Sequence, residues 1–232
     1  ADDTPLRDGG SGARAYAEAV SVYLGLAVSR LSDIQNALCM WENSKTQVRH
    51  VFTRHAIPML WDFAENNAFN RAAGDYTTTV ETMARVLDTS IITSQRSGSA
   101  VQDDAVKLNR PELITIATDP PYYDNIGYAD LSDFFYIWLR RSLHEVYPNI
   151  FATMLVPKSP ELIASPYRFD GNSDAANEHF ETGLMQAFAN MRRVIPPEYP
   201  LTVYYAFKQS EVVVEEGVAS TGWEVMLAGL ID

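Results

Sequence analysis

The run Leu-Ile-Thr-Ile-Ala-Thr at 113–118 constrains the fold of this chain more than any other stretch. It is short, rich in Ile and Thr, and bounded by Pro111 on one side and Pro120-Pro121 on the other. A short apolar run with no polar alternation reads as a strand buried on both faces, as in a parallel sheet covered by helices. A similar run, Leu-Thr-Val-Tyr-Tyr-Ala-Phe-Lys, follows at 201–208. Helical periodicity predicts helices over 131–147, where Leu131, Phe134, Phe135, Trp138, Leu139 and Leu143 share one face, over 177–194, and from about Ser220 onward. Strand, helix, strand, helix implies right-handed crossovers in an α/β fold.

The first half reads differently. Residues 1–13, with Gly9, Gly10 and Gly12 among them, are expected to form a flexible lead-in. Apolar residues at helical spacing predict one long helix from Arg14 to about Met40 and a second over 46–65, kinked at Pro58. A third is predicted over 77–87, with the preceding threonines as caps. A short strand is expected to end near Asp103-Asp104. The domain reading is a lead-in (1–13), a helical region (14–97) and an α/β region (98–232). The prolines and glycines at 157, 160, 166 and 171 mark 153–176 as an irregular connection, long enough for a functional or mobile loop.

Composition narrows the function classes. The 232 residues are 47% hydrophobic and 21% charged, as in ordinary globular proteins, and 19–28 is too short an apolar stretch to span a bilayer. A single cysteine, Cys39, excludes an internal disulfide framework and fits a reducing compartment, so a cytoplasmic location is expected. The four histidines make no ligand-spaced cluster with it, and no metal site is expected. A net charge of −12 opposes phosphate binding, so any grip on nucleic acid must come from elsewhere than bulk charge. The pairs Arg140-Arg141 and Arg192-Arg193 sit on predicted helices, where a solvated face explains them.

The chemistry concentrates where the 113–118 run ends, in Asp119-Pro120-Pro121-Tyr122. Ligands of open α/β sheets gather at the carboxyl ends of strands. Two prolines fix φ and remove two N–H donors, leaving a stiff segment that offers carbonyl oxygens and one carboxylate. An exocyclic –NH₂ has two hydrogens to give, and the Asp119 carboxylate and the Pro120 carbonyl can take one each. That turns the nitrogen lone pair toward an electrophile on the far side, while Tyr122 offers an aromatic face to the ring carrying the amine. A rigid turn leaving a strand is the plainer reading of the same residues. Trp61 is expected to be a packed tryptophan, Phe134, Phe135 and Trp138 core, and Asp130 and Asp133 structural acids at a helix start.

Asp-Pro-Pro-Tyr after an apolar strand resembles the catalytic motif of S-adenosylmethionine-dependent amino-methyltransferases. The longer block Asp-Pro-Pro-Tyr-Tyr-Asp-Asn-Ile-Gly-Tyr-Ala-Asp-Leu-Ser-Asp-Phe-Phe-Tyr-Ile-Trp-Leu-Arg-Arg (119–141) resembles the large adenine-specific DNA methylases of prokaryotes that carry an N-terminal domain of unknown function. So do Arg-His-Ala-Ile-Pro-Met-Leu-Trp-Asp-Phe-Ala-Glu (54–65) and Tyr-Tyr-Ala-Phe-Lys-Gln-Ser (204–210), and the resemblance spans about 14–230. It implies a helix-rich α/β fold with an incomplete Rossmann-like methyltransferase sheet of few parallel strands. It implies S-adenosylmethionine as cofactor and DNA as partner, with a flipped adenine held by Asp119, Pro120, Pro121 and Tyr122. Asp104 would lie near the cofactor adenine. From the residues themselves, Tyr123 and Asn125 are candidate substrate contacts, and Lys208, at the end of a predicted strand, is a candidate phosphate contact. Many cytosine-amine enzymes carry Ser where this chain has Asp119, which tilts the reading toward adenine.

One departure stands out. The glycine-rich loop with which the family approaches the methionine end of the cofactor has no counterpart in this sequence, since no apolar strand precedes Gly9-Gly10-Ser11-Gly12. By the resemblance that loop lies upstream, which implies a C-terminal part of a longer enzyme, inactive alone and partnered by the missing N-terminal part. A non-catalytic binding module, or an amino-methyltransferase of RNA or protein amides, is the alternative.

Overall fold

The structure is a computed structural model; it describes residues 2–72, 74–90, 98–108, 115–124, 126–205 and 221–231. Two compact units divide the chain. One takes 1–99 and 129–157, the other 100–128 and 158–232. The division falls near the boundary expected at 97, but it gives residues 129–157 to the first unit.

The first unit holds α1 (Ala13–Ser32), a two-residue hairpin of β1 (Trp41–Glu42) and β2 (Gln47–Val48), α2 (Tyr76–Thr89) and most of α3 (Tyr128–Leu143). Residues 2–12, the expected lead-in, carry a 3₁₀ turn at Leu6–Asp8. Glu18 on α1 accepts from the Leu6 N–H at 2.7 Å, and Asp2 accepts from the Ser11 N–H at 2.9 Å. The helix α1 stops at Ser32, short of Met40, because local side chains take over its last carbonyls. Ser32 Oγ donates to the Ser29 carbonyl at 2.7 Å, and Asn36 Nδ2 to that of Ser32 at 2.7 Å. Its buried residues are small (Ala15, Gly25, Ala27, Ser32), and at Gly25 an added Cβ would stand 2.9 Å from the Leu143 side chain of α3.

The helix predicted over 46–65 is absent. Thr46 has a left-handed φ of 48°, the Arg49 N–H donates to Met40 and the Val51 N–H to Asp33. In a helix begun at Thr46 the Val51 N–H would donate to the Gln47 carbonyl; it serves Asp33 instead, Gln47 and Val48 pair with β1, and Pro58 supplies no donor. The chain from 57 to 67 has no helix or strand apart from a bend at Trp61. Trp61 is fully exposed, contrary to the packed role expected of it. At α2 the cap is Asp75 and not a threonine: its carboxylate accepts from the Thr78 and Ala72 N–H groups at 2.6 and 3.1 Å. Those backbone donors hold its carboxyl below the usual aspartate range.

On α3, Phe134 and Phe135 meet Phe52 with ring centroids 5.6 Å apart in both cases, a half-buried aromatic cluster. Trp138 is exposed, so it departs from its core assignment. The Asp133 carboxylate accepts from the Val156 N–H at 2.9 Å, and Arg140 Nε donates to the Phe151 carbonyl at 3.2 Å. Both tie down the chain that follows the helix, so Arg140 does more than solvate a face.

The second unit centres on α4 (Ser173–Val194), which pairs in space with α5 (Thr221–Ile231). Asn172 caps α4, accepting from Asp174 and Ala175 at 3.0 and 3.1 Å, and Pro196 follows its end. Its buried positions Ala176, Phe180, Leu184, Ala187, Phe188, Met191 and Val194 recur at helical spacing. With Ile116, Ala164 and Met226 they make the core of the unit. Over them lies a two-stranded parallel sheet of β3 (Ile116–Thr118) and β4 (Leu201–Val203), in the register Ile116–Leu201, Ala117–Thr202, Thr118–Val203. The expected parallel adjacency is present; a wider Rossmann sheet is not among the described residues. The start of the first predicted run (113–114) and the end of the second (206–208) fall outside the described residues.

No strand ends at Asp103-Asp104. Asp103 accepts from the Asp104 N–H at 2.9 Å and Asp104 from the Val106 N–H at 3.0 Å, so the acids spend their acceptors on a local turn that competes with a strand ladder. Asn190 of α4 pins that turn, donating to the carbonyls of Ala105 and Leu108 at 2.9 and 2.7 Å.

Candidate active site

Asp119 leaves the carboxyl end of β3, and Tyr204 leaves the end of β4, its N–H donating to the Thr118 carbonyl at 2.8 Å. The parallel register therefore sets Asp119–Tyr122 beside Tyr204 and Tyr205. Pro120 is buried, Pro121 half-buried, and Asp119 exposed, so the proline pair anchors the segment while the acid faces solvent.

The acid and the tyrosine are coupled. Tyr122 Oη donates to Asp119 Oδ1 at 2.6 Å. Among the described residues the other carboxylate oxygen, Oδ2, accepts no hydrogen bond. Donating to Asp119 pushes the Tyr122 phenol above its usual range, and partial burial, the Asp119 charge and Tyr128 add to the shift. The Tyr122 ring meets Tyr205 at 5.5 Å with an interplanar angle of 86°. Sequence reasoning did not single out Tyr205; the signal was its place at the end of the second strand of a parallel pair.

Tyr123 is built into the fold. Its φ is 48°, a left-handed conformation that costs a tyrosine about 1 kcal/mol. Three contacts hold it there. Its hydroxyl donates to Asn177 Oδ1 at 2.6 Å, its ring crosses Phe180 at 5.3 Å, and its carbonyl accepts from the Ala164 N–H at 3.1 Å. This turn aims Tyr123 into the core while Tyr122 stays at the sheet edge. Asn177 and Phe180 lie on α4, so the same helix that fills the core also braces the motif.

Asp104 lies elsewhere in the unit. It lines an open cleft of about 520 Å³ with Lys107, Leu162, Glu178 and His179, and no residue of 119–122 lines it. Its Oδ2 sits 3.4 Å from Lys107 Nζ. Asp119, Pro120, Pro121 and Tyr122 form one stiff segment, and none of them contributes to the cleft that Asp104 lines. Asn125 and Lys208 fall outside the described residues. Among the described residues no group of three metal-ligating side chains converges, and no helix is long and apolar enough to cross a membrane.

No family model, curated protein or solved structure matches this chain.

Proposed function

We propose that this chain carries the base-holding half of an S-adenosylmethionine-dependent methyltransferase acting on the exocyclic amine of adenine in DNA. The observation that carries the reading is the Asp119–Tyr122 segment at the carboxyl end of a parallel strand, with the acid held against the tyrosine hydroxyl. An adenine amine entering here gives one hydrogen to Asp119 Oδ2 or displaces the Tyr122 hydroxyl at Oδ1, and its ring lies on Tyr122, with Tyr205 behind. The second hydrogen goes to the Pro120 carbonyl. Both hydrogens drawn to one side leave the lone pair directed away from the protein, where the methyl donor must arrive. S-adenosylmethionine supplies the electrophilic methyl group. The chain's own part is to position the amine and stabilise the positive charge that grows on it in transfer.

A second reading rests on the missing glycine-rich loop: a methyltransferase-like module that binds an amino-heterocycle and transfers nothing by itself. Incubation with labelled S-adenosylmethionine and adenine-containing duplex DNA, with and without the upstream reading frame supplied in trans, separates the two. The account expects N6-methyladenine among the digested nucleosides in the complemented reaction. Label on cytosine, on RNA alone or on nothing in either reaction overturns it.

A further inference from the structure

The segment 57–63 of the first unit has the pattern of a sheet edge but no neighbouring strand. Ile57 (54% exposed), Met59 (96%), Trp61 (fully exposed) and Phe63 (49%) turn to solvent at every second residue, and Pro58 and Leu60 between them are half-buried. That alternation is the period of a strand. Among the described residues the backbone from 57 to 65 neither donates nor accepts a hydrogen bond, and its course is broken only by the bend at Trp61. An apolar row beside unpaired N–H and C=O groups is a template for another strand.

We infer that this chain dimerises by antiparallel pairing of 57–63 with the same segment of a second copy, a closed two-fold contact in which the bend at Trp61 straightens. The segment complements itself. With the two-fold axis at Leu60, Ile57 faces Phe63 and Met59 faces Trp61 of the other copy, so all four apolar side chains find partners on one face. Hydrogen-bonded and non-hydrogen-bonded pairs alternate along such a ladder. Pro58 then lies opposite Asp62 at a non-hydrogen-bonded pair, where no N–H is needed, and the N–H groups of 57, 59, 61 and 63 all find carbonyls. Arg54 precedes the segment and Glu65 follows it, so antiparallel order brings each cation toward the other copy's acid. Parallel order would set like charges together. Side chains this exposed offer on the order of 500 Å² per copy, so the pair buries on the order of 1,000 Å², the low end for specific interfaces. Association in roughly the tens-of-micromolar range follows. This inference does not depend on the methyltransferase reading.

Sedimentation equilibrium of the full chain from about 5 to 500 μM tests the association. The expected mass rises from 25.9 kDa toward twice that value at the upper end. Trp61→Ser removes a fully exposed ring, so it leaves the fold intact, and it should weaken association about tenfold or more. Cross-linking tests the register. Leu60 meets its own counterpart across the axis at a non-hydrogen-bonded pair, with Cα atoms about 4.5 Å apart and within disulfide reach. Residue 62 lies four residues out of step with its counterpart, roughly 13 Å away. Under oxidised glutathione Leu60→Cys should therefore form a disulfide-linked dimer and Asp62→Cys should not; the native Cys39 is buried and common to both. A wild-type chain that stays monomeric across the range overturns the inference. So does a dimer indifferent to Trp61→Ser, which would place the contact on another face such as the Tyr16, Val20, Tyr23 and Leu24 stripe of α1. Cross-linking of Leu60→Cys no faster than that of Asp62→Cys overturns it as well.

Discussion

The helix α4 and the stretch 46–65 both looked helical by spacing, and only one is a helix. α4 has a side-chain cap at Asn172, an apolar face that continues for about five turns, and a proline after its end. The stretch 46–65 has apolar residues at helical spacing but no cap, a left-handed residue where the first turn would start, and a Val51 N–H that donates to Asp33 and not to the preceding turn. Periodicity reports which side chains can share a face. Whether a helix forms depends on whether the terminal donors find partners and whether the face finds a core. In α4 both conditions are met, and the same helix braces the candidate site through Asn177 and Phe180.

The comparison breaks most severely at Phe180. Its side chain is wholly buried and touches the Tyr123 ring, so Phe180→Ala should destabilise the second unit by about 3–5 kcal/mol, read as a lowered midpoint in urea unfolding. A loss under 1 kcal/mol would mean that α4 does not carry the core.

A smaller effect is expected at Asp75. Asp75→Ala removes the cap of α2 and should lower Tm by a few degrees. Because the folded carboxyl is held below its usual range, its contribution is present above the ordinary aspartate value and is lost as pH falls through the lowered one. The wild type and Asp75→Ala should therefore converge in stability in strong acid; a constant gap would contradict the cap.

Tyr122→Phe sharpens the site side of the comparison. Ultraviolet titration of the wild type should show the Tyr122 phenol ionising above the usual tyrosine range, and the variant should lose that step. Its raised value favours the neutral phenol, so that stabilisation is present below the ordinary tyrosine range and is lost as pH rises through the folded value.

The smallest effect is expected at Pro58. If 46–65 were a kinked helix, Pro58→Ala would add helix; in the irregular segment it should leave far-ultraviolet ellipticity unchanged. A gain of a turn or more would restore the sequence-based expectation.

Much of the second unit was legible in the sequence. The parallel pairing of Ile116–Thr118 with Leu201–Val203 followed from the unbroken apolar character of the runs that hold them, and α4 and α5 begin within a few residues of their predicted starts. What escaped depends on side chains bonding to nearby backbone, as at Asp103 and Asp104, where a turn replaces a strand end. At the site, the stiffness of Asp119–Tyr122 was readable from its prolines. The edge of Tyr205 was not, because it comes from the register of two strands more than eighty residues apart, and the hydroxyl–carboxylate bond, between residues three apart, was not because it depends on the rotamers within the turn. The inward turn of Tyr123 needed a left-handed backbone that tyrosine rarely adopts, so no residue-type signal announced it.

The central claim is that Asp119 accepts an amine hydrogen more strongly in the transition state than in the ground state. Single-turnover methyl transfer to adenine-containing duplex DNA by the complemented enzyme tests it directly. Asp119→Ala should slow transfer about a hundredfold, from roughly 3 kcal/mol of lost transition-state stabilisation, while DNA and cofactor affinities change little. Tyr122→Phe, which keeps the ring and frees Oδ1, should retain most of the rate, and Tyr122→Ala should weaken base capture. Near-wild-type transfer by Asp119→Ala would contradict the account.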